Sequence, residues 1–164
     1  MSEKIPFVTK EQLEDIASRY ATPFYLYDEK GIRETARRVN KAFNWNKGFK
    51  EYFAVKATPT PGILKILHEE GCGADCSSYT ELLMADAVGF KGDEIMFSSN
   101  DTPAEDFQLA RKLNATINLD DITHIDFLER VADIPEPCAA ATIRAGILPL
   151  PTTLWTTRAT PNTA

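Results

Sequence analysis

Four short apolar segments recur along the middle of the sequence at an almost constant interval. They begin near residues 51, 72, 95 and 116, so the intervals are 21, 23 and 21 residues. Each segment has the length of a strand and is followed by apolar residues at helical spacing. A strand–helix unit of constant size, joined by short loops, predicts a parallel sheet with helices on its outside.

The loops after these segments carry residues that typically begin helices. Pro favours the first helical position, and a Ser or Thr followed three residues later by Glu forms a capping box, in which two side chains bond the free amides of the first turn. The predicted helix starts are Thr60-Pro61, Ser78 with Glu81, Thr102 with Glu105, and Asp120 or Asp121.

Two architectures accommodate such a repeat, an open doubly wound sheet and a closed (β/α)8 barrel. No G-x-G-x-x-G sequence follows the first strand, which weakens the case for a dinucleotide-binding sheet. The regular interval favours the barrel, although a whole barrel needs about 250 residues. The sequence therefore predicts an α/β fold, a partial (β/α)8 TIM barrel of about four to five strand–helix units.

Three further elements are predicted before the repeat. Thr9 caps a helix, an aromatic strand follows at residues 22–27 (TPFYLY), and Asp28 opens a second helix. The apolar residues of this second helix share one side of it, at spacings of 4, 3 and 4 residues: Ile32, Ala36, Val39 and Phe43.

Composition excludes several classes of protein. The net charge is −6 and the pI is about 5.0, so no basic surface indicates nucleic-acid binding. No run of apolar residues is long enough for a membrane span, and the first residues have no apolar signal core, which together predict a cytoplasmic protein. The sequence has three cysteines, Cys72, Cys76 and Cys138. An odd number argues against a disulfide framework. We expect these cysteines to be buried thiols that bind no metal.

The charge is unevenly distributed. All 24 acidic residues precede Cys138, and the last 27 residues carry only Arg144 and Arg158 as charges. This change in composition predicts that residues 138–164 are an atypical tail, either a disordered terminus or the product of another reading frame. Residues 138–147 could also form a strand, since they begin one repeat interval after the fourth strand.

Lys56 is the first candidate for chemistry. It ends the apolar strand in YFAVKATPTP, at the carboxyl end of a barrel strand, where catalytic groups are found. Partial desolvation there would favour the neutral amine that a covalent bond to an aldehyde requires. The alternative is a lysine whose stem covers apolar surface at a strand end.

Asp75 and Glu81 follow the next predicted strand, in GCGADCSSYTE. Asp75 could orient a substrate or stabilise a cation. Alternatively, it could be an acidic residue that interacts favourably with the dipole of the following helix. Glu81 is explained by the capping box alone.

Taken together, TPFYLYDEKGIRE, YFAVKATPTPGILKILHEEGCGADCSSYTELLMADAVGF, DEIMFSSNDTPAEDFQLARKL and ATINLDDITHIDFLERV resemble the diaminopimelate decarboxylases. This family of pyridoxal-phosphate enzymes converts meso-diaminopimelate to L-lysine and CO₂ on an alanine-racemase-like barrel. The resemblance covers residues 5 to 137. Ornithine, arginine and carboxynorspermidine decarboxylases share the architecture and are the alternative activities.

The resemblance implies roles for the three candidates. Lys56 would hold pyridoxal 5'-phosphate and later take part in proton transfer, Asp75 would lie at the cofactor's face, and Glu81 matches an acidic position close to the active site. It also implies a small amino-acid substrate and a family that forms homodimers.

The resemblance further implies a division of the chain. Residues 1–27 would complete a second, mostly β domain, residues 28–137 would form the N-terminal half of the barrel, and residues 138–164 depart from the family. The family's cofactor-stacking His, Gly-rich phosphate loop and late Cys and Tyr have no counterpart here. The sequence is therefore expected to be a truncated, inactive N-terminal part of a decarboxylase, or else a small pyridoxal-phosphate-binding protein.

Overall fold

The computed structural model describes residues 5–136, 138–142 and 154–156, with side chains up to residue 139. Strands and helices alternate from the first strand to the fifth, as the repeat predicts. The helices are α1 (Lys10–Arg19), α2 (Glu29–Ala42), α3 (Pro61–Glu69), α4 (Tyr79–Val88), α5 (Ala104–Lys112) and α6 (Thr123–Ala132). The strands are β1 (Tyr52–Ala54), β2 (Gly73–Cys76), β3 (Ile95–Ser98), β4 (Thr116–Leu119), β5 (Cys138–Thr142) and β6 (Leu154–Thr156).

The described strands form one sheet in the order β1-β2-β3-β4-β5-β6. Strands β1 to β5 are parallel, and β6 pairs with β5 in the antiparallel direction. Each parallel strand lies beside the next one in the sequence, which is the winding of a (β/α) barrel rather than that of a doubly wound sheet. This confirms the predicted partial barrel.

Helices α3 to α6 pack against one face of the sheet. Alternate strand residues point toward them and are buried, including Cys76, Phe97 and Ile117. From the helices, Leu64, Leu82, Ala85, Phe107, Ala110 and Leu128 join the same core. The other face of the sheet carries the remaining strand residues, because successive side chains of a strand point to opposite faces.

An ionic network attaches α2 to the end of α3. Glu70, whose side chain is 9% exposed, accepts hydrogen bonds from Arg33 at 3.0 Å and from Arg37 at 2.7 Å. These guanidinium groups hold the pKa of Glu70 below its ordinary value. The network fixes α2 beside the β1 edge of the sheet, where Ala36 packs with Ile63 and Leu67.

The helix starts agree with the sequence at most positions but differ in their caps. Thr9 forms a full capping box with Gln12, and α3 begins at Pro61. Ser78 accepts the Glu81 amide proton as predicted, yet the Glu81 side chain bonds the amide of Ser77 instead of that of Ser78.

The predicted capping box of Thr102 with Glu105 is wrong. Helix α5 begins at Ala104 with Pro103 as the residue before it, so Thr102 lies one position too early to cap the helix. Its hydroxyl is buried and has no hydrogen-bond partner among the residues that the structure describes. Pro103 is excluded from the helix by its ψ of 160°, which is the extended value of a cap residue, and as a proline it has no amide proton to satisfy.

The aromatic strand predicted at residues 22–27 does not form among the described residues. A strand is defined by the ladder to its neighbour, and this segment pairs with no strand in the described part of the chain. Two of its aromatic rings face outward instead, with Tyr25 90% and Tyr27 47% exposed.

The strand expected near residues 138–147 is present as β5, which pairs with β4 in parallel. The rest of the tail, apart from β6, lies outside the described residues, as does Arg144. Within the part of the chain that the structure covers, no helix has the length and apolarity to cross a membrane.

Candidate active site

The candidate residues lie on the face of the sheet opposite to the helices, at the carboxyl ends of the strands. We call this surface the inner face and define it by Ala54, Asp75, Met96, Ser98, Thr116 and Asn118. Neighbouring strands hold these residues side by side, since Ala54 pairs with Asp75, Asp75 with Met96, and Met96 with Thr116.

Lys56 comes directly after β1, two residues beyond Ala54, in a short 3₁₀ turn of Val55–Ala57. Val55 is fully buried and Lys56 is exposed. Burial of Val55 fixes the backbone of the turn while the lysine amine reaches solvent at the carboxyl edge. The desolvation of Lys56 expected from the sequence is therefore wrong for this structure, whereas its place at a strand end is as predicted.

Asp75 lies on β2 beside the end of β1. Burial raises the pKa of its carboxyl group to about 6, the nearby positive charge of Lys56 acts in the opposite direction, and the negative charge of Glu81 raises the pKa further. One carboxylate oxygen of Asp75, Oδ1, is buried with no hydrogen-bond partner among the described residues. Asp75 is thus a partly buried acid that can gain or lose a proton near neutral pH.

Replacing Asp75 by asparagine is expected to stabilise the fold at pH 7 and above. A carboxyl whose pKa rises from 3.8 to about 6 on folding favours the folded state only when it is protonated. Relative to D75N, the wild type is therefore expected to lose stability as the pH rises from 4 to 6, by less than the about 3 kcal/mol of a full shift of about two units, because solvent screens a partly exposed carboxyl. The other titrating groups act in both proteins, so the difference between the two free energies of unfolding measures the effect of Asp75.

Urea unfolding of both proteins between pH 4 and pH 8 measures this difference. The matched control is Asp126→Asn, which changes an exposed acid on α6 and should follow the wild-type pH profile. A D75N profile that falls in parallel with the wild type would contradict the assignment of this pH dependence to Asp75.

Glu81 lies in the first turn of α4 and is held by the residue at the end of β2. The amide of Ser77 donates to Glu81 Oε2 at 2.8 Å, and the Ser77 hydroxyl lies 3.2 Å from the same oxygen. Its charge contributes to the raised pKa of both Asp75 and Cys76. Glu81 therefore combines the structural role predicted from the sequence with an electrostatic effect on the site.

The two cysteines near the site have the character of buried thiols, as expected. Cys72 and Cys76 are 3% and 0% exposed. Burial, together with the charges of Glu81 and Asp75, raises the pKa of Cys76 to about 12. A thiol in this state is a poor nucleophile.

Buried polar atoms without partners gather at the same edge of the sheet. Within residues whose side chains are described, these atoms are Asp75 Oδ1, Thr102 Oγ1, Asn118 Oδ1, Asp120 Oδ1 and His124 Nδ1. Each belongs to the carboxyl end of β2 or β4, to the loop after β3, or to the first turn of α6. Asp120 and His124 approach each other to 3.0 Å, but too poorly aligned for a hydrogen bond.

Such a concentration indicates a functional edge, because buried polar groups in folded proteins are nearly always hydrogen-bonded. The sequence patterns did not single out Asn118 or His124, and they assigned Thr102 to a helix cap. A polar residue among the apolar residues of a buried strand, as in TINL, is the signal that identifies Asn118.

The residues at this edge suit an aldehyde cofactor. An exposed primary amine follows β1, an acid with a pKa of about 6 lies on the adjacent strand, and orphaned polar atoms around them are ready to bond a polar ligand. An exposed amine can attach an aldehyde covalently, and the polar groups can bond other polar atoms of the same ligand.

Comparison with known proteins gives a consistent result. Residues 29–146 match the domain family described as "Pyridoxal-dependent decarboxylase, pyridoxal binding domain", whose name agrees with the cofactor expected from the sequence. Protein TabA of Pseudomonas amygdali pv. tabaci is 41% identical over 136 residues, or 83% of this chain. The diaminopimelate decarboxylase of Methanothermobacter thermautotrophicus is 34% identical over 72% of this chain.

A solved structure shows the same likeness in three dimensions. Diaminopimelate decarboxylase from Helicobacter pylori, complexed with L-lysine, superimposes with a TM-score of 0.63 and 31% identity over 73% of this chain. The chain spans about a third of the length of these proteins: 31% of Protein TabA, 28% of the Methanothermobacter enzyme and 30% of the Helicobacter structure.

Proposed function

Since this chain belongs to the family of pyridoxal-dependent decarboxylases by its pyridoxal-binding domain, we propose that it forms the cofactor site of an amino-acid decarboxylase. Lys56 is the residue that would carry pyridoxal 5'-phosphate. The observation that supports this proposal is that Lys56 and Asp75 lie close together. Lys56 follows β1, and β1 pairs with β2 through Ala54 and Asp75. Several buried polar atoms at the same edge have no hydrogen-bond partner among the described residues.

Bound pyridoxal phosphate supplies a conjugated ring that accepts the electron pair left behind when a carboxylate departs as CO₂. The residues of this chain would do the rest. Lys56 Nζ would hold the cofactor and later deliver a proton. The Asp75 carboxyl, with its pKa of about 6, would hold or release a proton beside Lys56, and Glu81 would add a negative charge near Asp75.

For the substrate we propose meso-diaminopimelate, with L-lysine and CO₂ as the products. The support is the similarity to diaminopimelate decarboxylases and to one solved with L-lysine. Ornithine, arginine and carboxynorspermidine are the alternative substrates, and a binding protein without activity is the alternative function.

We also propose that the 164-residue chain binds the cofactor without measurable turnover. In the described part of the sheet, β1 pairs with β2 alone, and the parallel strands do not close around the inner face. Water can therefore reach this site, whereas decarboxylation requires a site that excludes water.

We further propose a division of the chain. Residues 1–27 would belong to a second β domain, residues 28–137 to the half-barrel and residues 138–164 to the atypical tail. The outward-facing Tyr25 and Tyr27 support the first of these assignments.

Substrate preference can be measured without turnover. The chain is incubated with pyridoxal phosphate, an amino acid is titrated in, and borohydride then fixes whatever cofactor remains on Lys56. Because the substrate amine competes with Lys56 for the cofactor aldehyde, meso-diaminopimelate is expected to halve the labelling at an about tenfold lower concentration than ornithine or arginine, a difference of roughly 1.4 kcal/mol.

Release of CO₂ from carboxyl-labelled meso-diaminopimelate is followed in the same samples and is expected to be undetectable. Turnover would confirm the substrate and contradict the proposed inactivity. Displacement at lower concentrations of ornithine would favour the alternative substrate class, and no labelling of Lys56 at all would contradict the cofactor site.

A further inference from the structure

Ser98 and Asn118 form an isolated polar pair on the inner face. Asn118 is 3% exposed, and its Nδ2 donates a hydrogen bond to Ser98 Oγ at 2.8 Å. Its Oδ1 is buried and accepts no hydrogen bond from any described residue. A buried amide with one end bonded and the other end free is unfavourable for the fold, because the free carbonyl has given up its water without replacement.

This pair lies at the same carboxyl edge of the sheet as Lys56. Ala54, Asp75, Met96 and Thr116 form one row across β1 to β4. Two residues further along, β3 and β4 place Ser98 directly opposite Asn118, and Lys56 follows two residues after Ala54 in the turn that ends β1. Lys56 and the Ser98–Asn118 pair therefore both lie beyond this row, at the carboxyl ends of their strands.

The width of the sheet at this edge suits a ligand that starts at Lys56. Neighbouring strands lie about 4.8 Å apart, so three intervals separate β1, which Lys56 follows, from β4, which carries Asn118, by roughly 14 Å. An extended lysine side chain and a substituted pyridine ring together approach that length. Asp75 and Ser98 lie on the two strands between them.

A purely structural role does not account for the pair. Met96 and Thr116, in the row below, make no side-chain hydrogen bond among the described contacts, so the sheet does not depend on polar bonds across its inner face. An apolar residue at position 118 would avoid the free carbonyl altogether. Polar groups that a fold does not need are typical of binding sites.

We propose that Ser98 and Asn118 are a second contact for the cofactor, with Asn118 Oδ1 accepting a hydrogen bond from an N–H or O–H group of the phosphorylated pyridine held at Lys56. The Ser98 hydroxyl positions the amide. This inference rests on the proposed function and adds to it a binding contact on β3 and β4. The amide itself is uncharged and adds no titrating group to the contact.

Equilibrium titration of the full chain with pyridoxal phosphate, followed by absorbance, tests the proposal. Asn118→Leu should weaken the affinity about tenfold, the effect of losing one hydrogen bond to the ligand. Ser98→Ala should weaken it by a smaller factor, since the amide remains but is no longer fixed. Thr116→Val is the matched control, because it removes a hydroxyl from the same strand and face, and it should bind like the wild type.

Urea unfolding of the same variants separates binding from folding. The Asn118→Leu midpoint should equal or exceed that of the wild type, because the substitution removes a buried orphan oxygen. Wild-type affinity in Asn118→Leu, with or without a lower unfolding midpoint, would overturn the inference. If Asn118→Leu fails to fold, Ser98→Ala decides, and unchanged affinity there overturns it. A wild type that shows no Lys56-dependent binding would instead contradict the proposed function.

Discussion

Replacing Lys56 by alanine is expected to abolish covalent attachment of pyridoxal phosphate to this chain. Lys56 offers an exposed primary amine in a turn fixed by the buried Val55, beside the carboxyl group of Asp75. After incubation with the cofactor and reduction with borohydride, the wild type should carry one cofactor on the peptide that contains residue 56. The K56A variant should carry none, as measured by intact mass and peptide mapping.

Two variants sharpen this experiment. Lys65→Ala removes an exposed lysine of α3 and should be labelled like the wild type. Lys56→Arg keeps the positive charge beside Asp75 but lacks the primary amine, so it should be unlabelled. Equal labelling of K56A and the wild type, or labelling spread over several lysines, would show that Lys56 has no special reactivity.

Replacing Phe107 by alanine is expected to cause the largest loss of stability. Phe107 on α5 is 2% exposed, and its ring centroid lies 6.0 Å from those of Phe97, His124 and Phe127. The substitution leaves a cavity between the sheet and helices α5 and α6. The free energy of unfolding should fall by about 3–5 kcal/mol, as for other buried Phe to Ala changes.

Urea denaturation at equal protein concentration measures the effect. Tyr25→Ala is the control, because Tyr25 is 90% exposed and its removal should change the free energy of unfolding by no more than about 0.5 kcal/mol. Phe107→Leu, which keeps part of the apolar volume, should fall between the two. Identical midpoints for F107A and Y25A would mean that this aromatic cluster does not support the fold.

The repeat and the strand ends could be predicted from the sequence because they depend on local signals. The interval of 21 to 23 residues is the length of one strand, one helix and two loops. It therefore indicates parallel strands without any information on tertiary contacts. The same pattern placed Lys56 and Asp75 at strand ends. The cap at Thr102 was predicted wrongly, since Pro103 occupies the position from which a side chain caps α5.

Contacts between distant residues could not be predicted in this way. Asp106 of α5 is 6% exposed and accepts the Tyr79 amide proton at the start of α4, although 27 residues separate them. The Ser98–Asn118 bond likewise exists only because β3 and β4 are paired in one particular register. A shift of a single residue would turn Asn118 toward the helices.

By itself, the sequence determined the strand–helix order, the α/β class and the identity of the candidate lysine and acid, because periodicity and helix-start residues act within a few positions of the chain. The tertiary structure decided that Lys56 is exposed, that burial raises the pKa of Asp75 to about 6, and that Asn118 Oδ1 is buried without a hydrogen-bond partner among the described residues. These properties depend on burial and on the pairing of separate strands, and both arise only when the sheet is assembled.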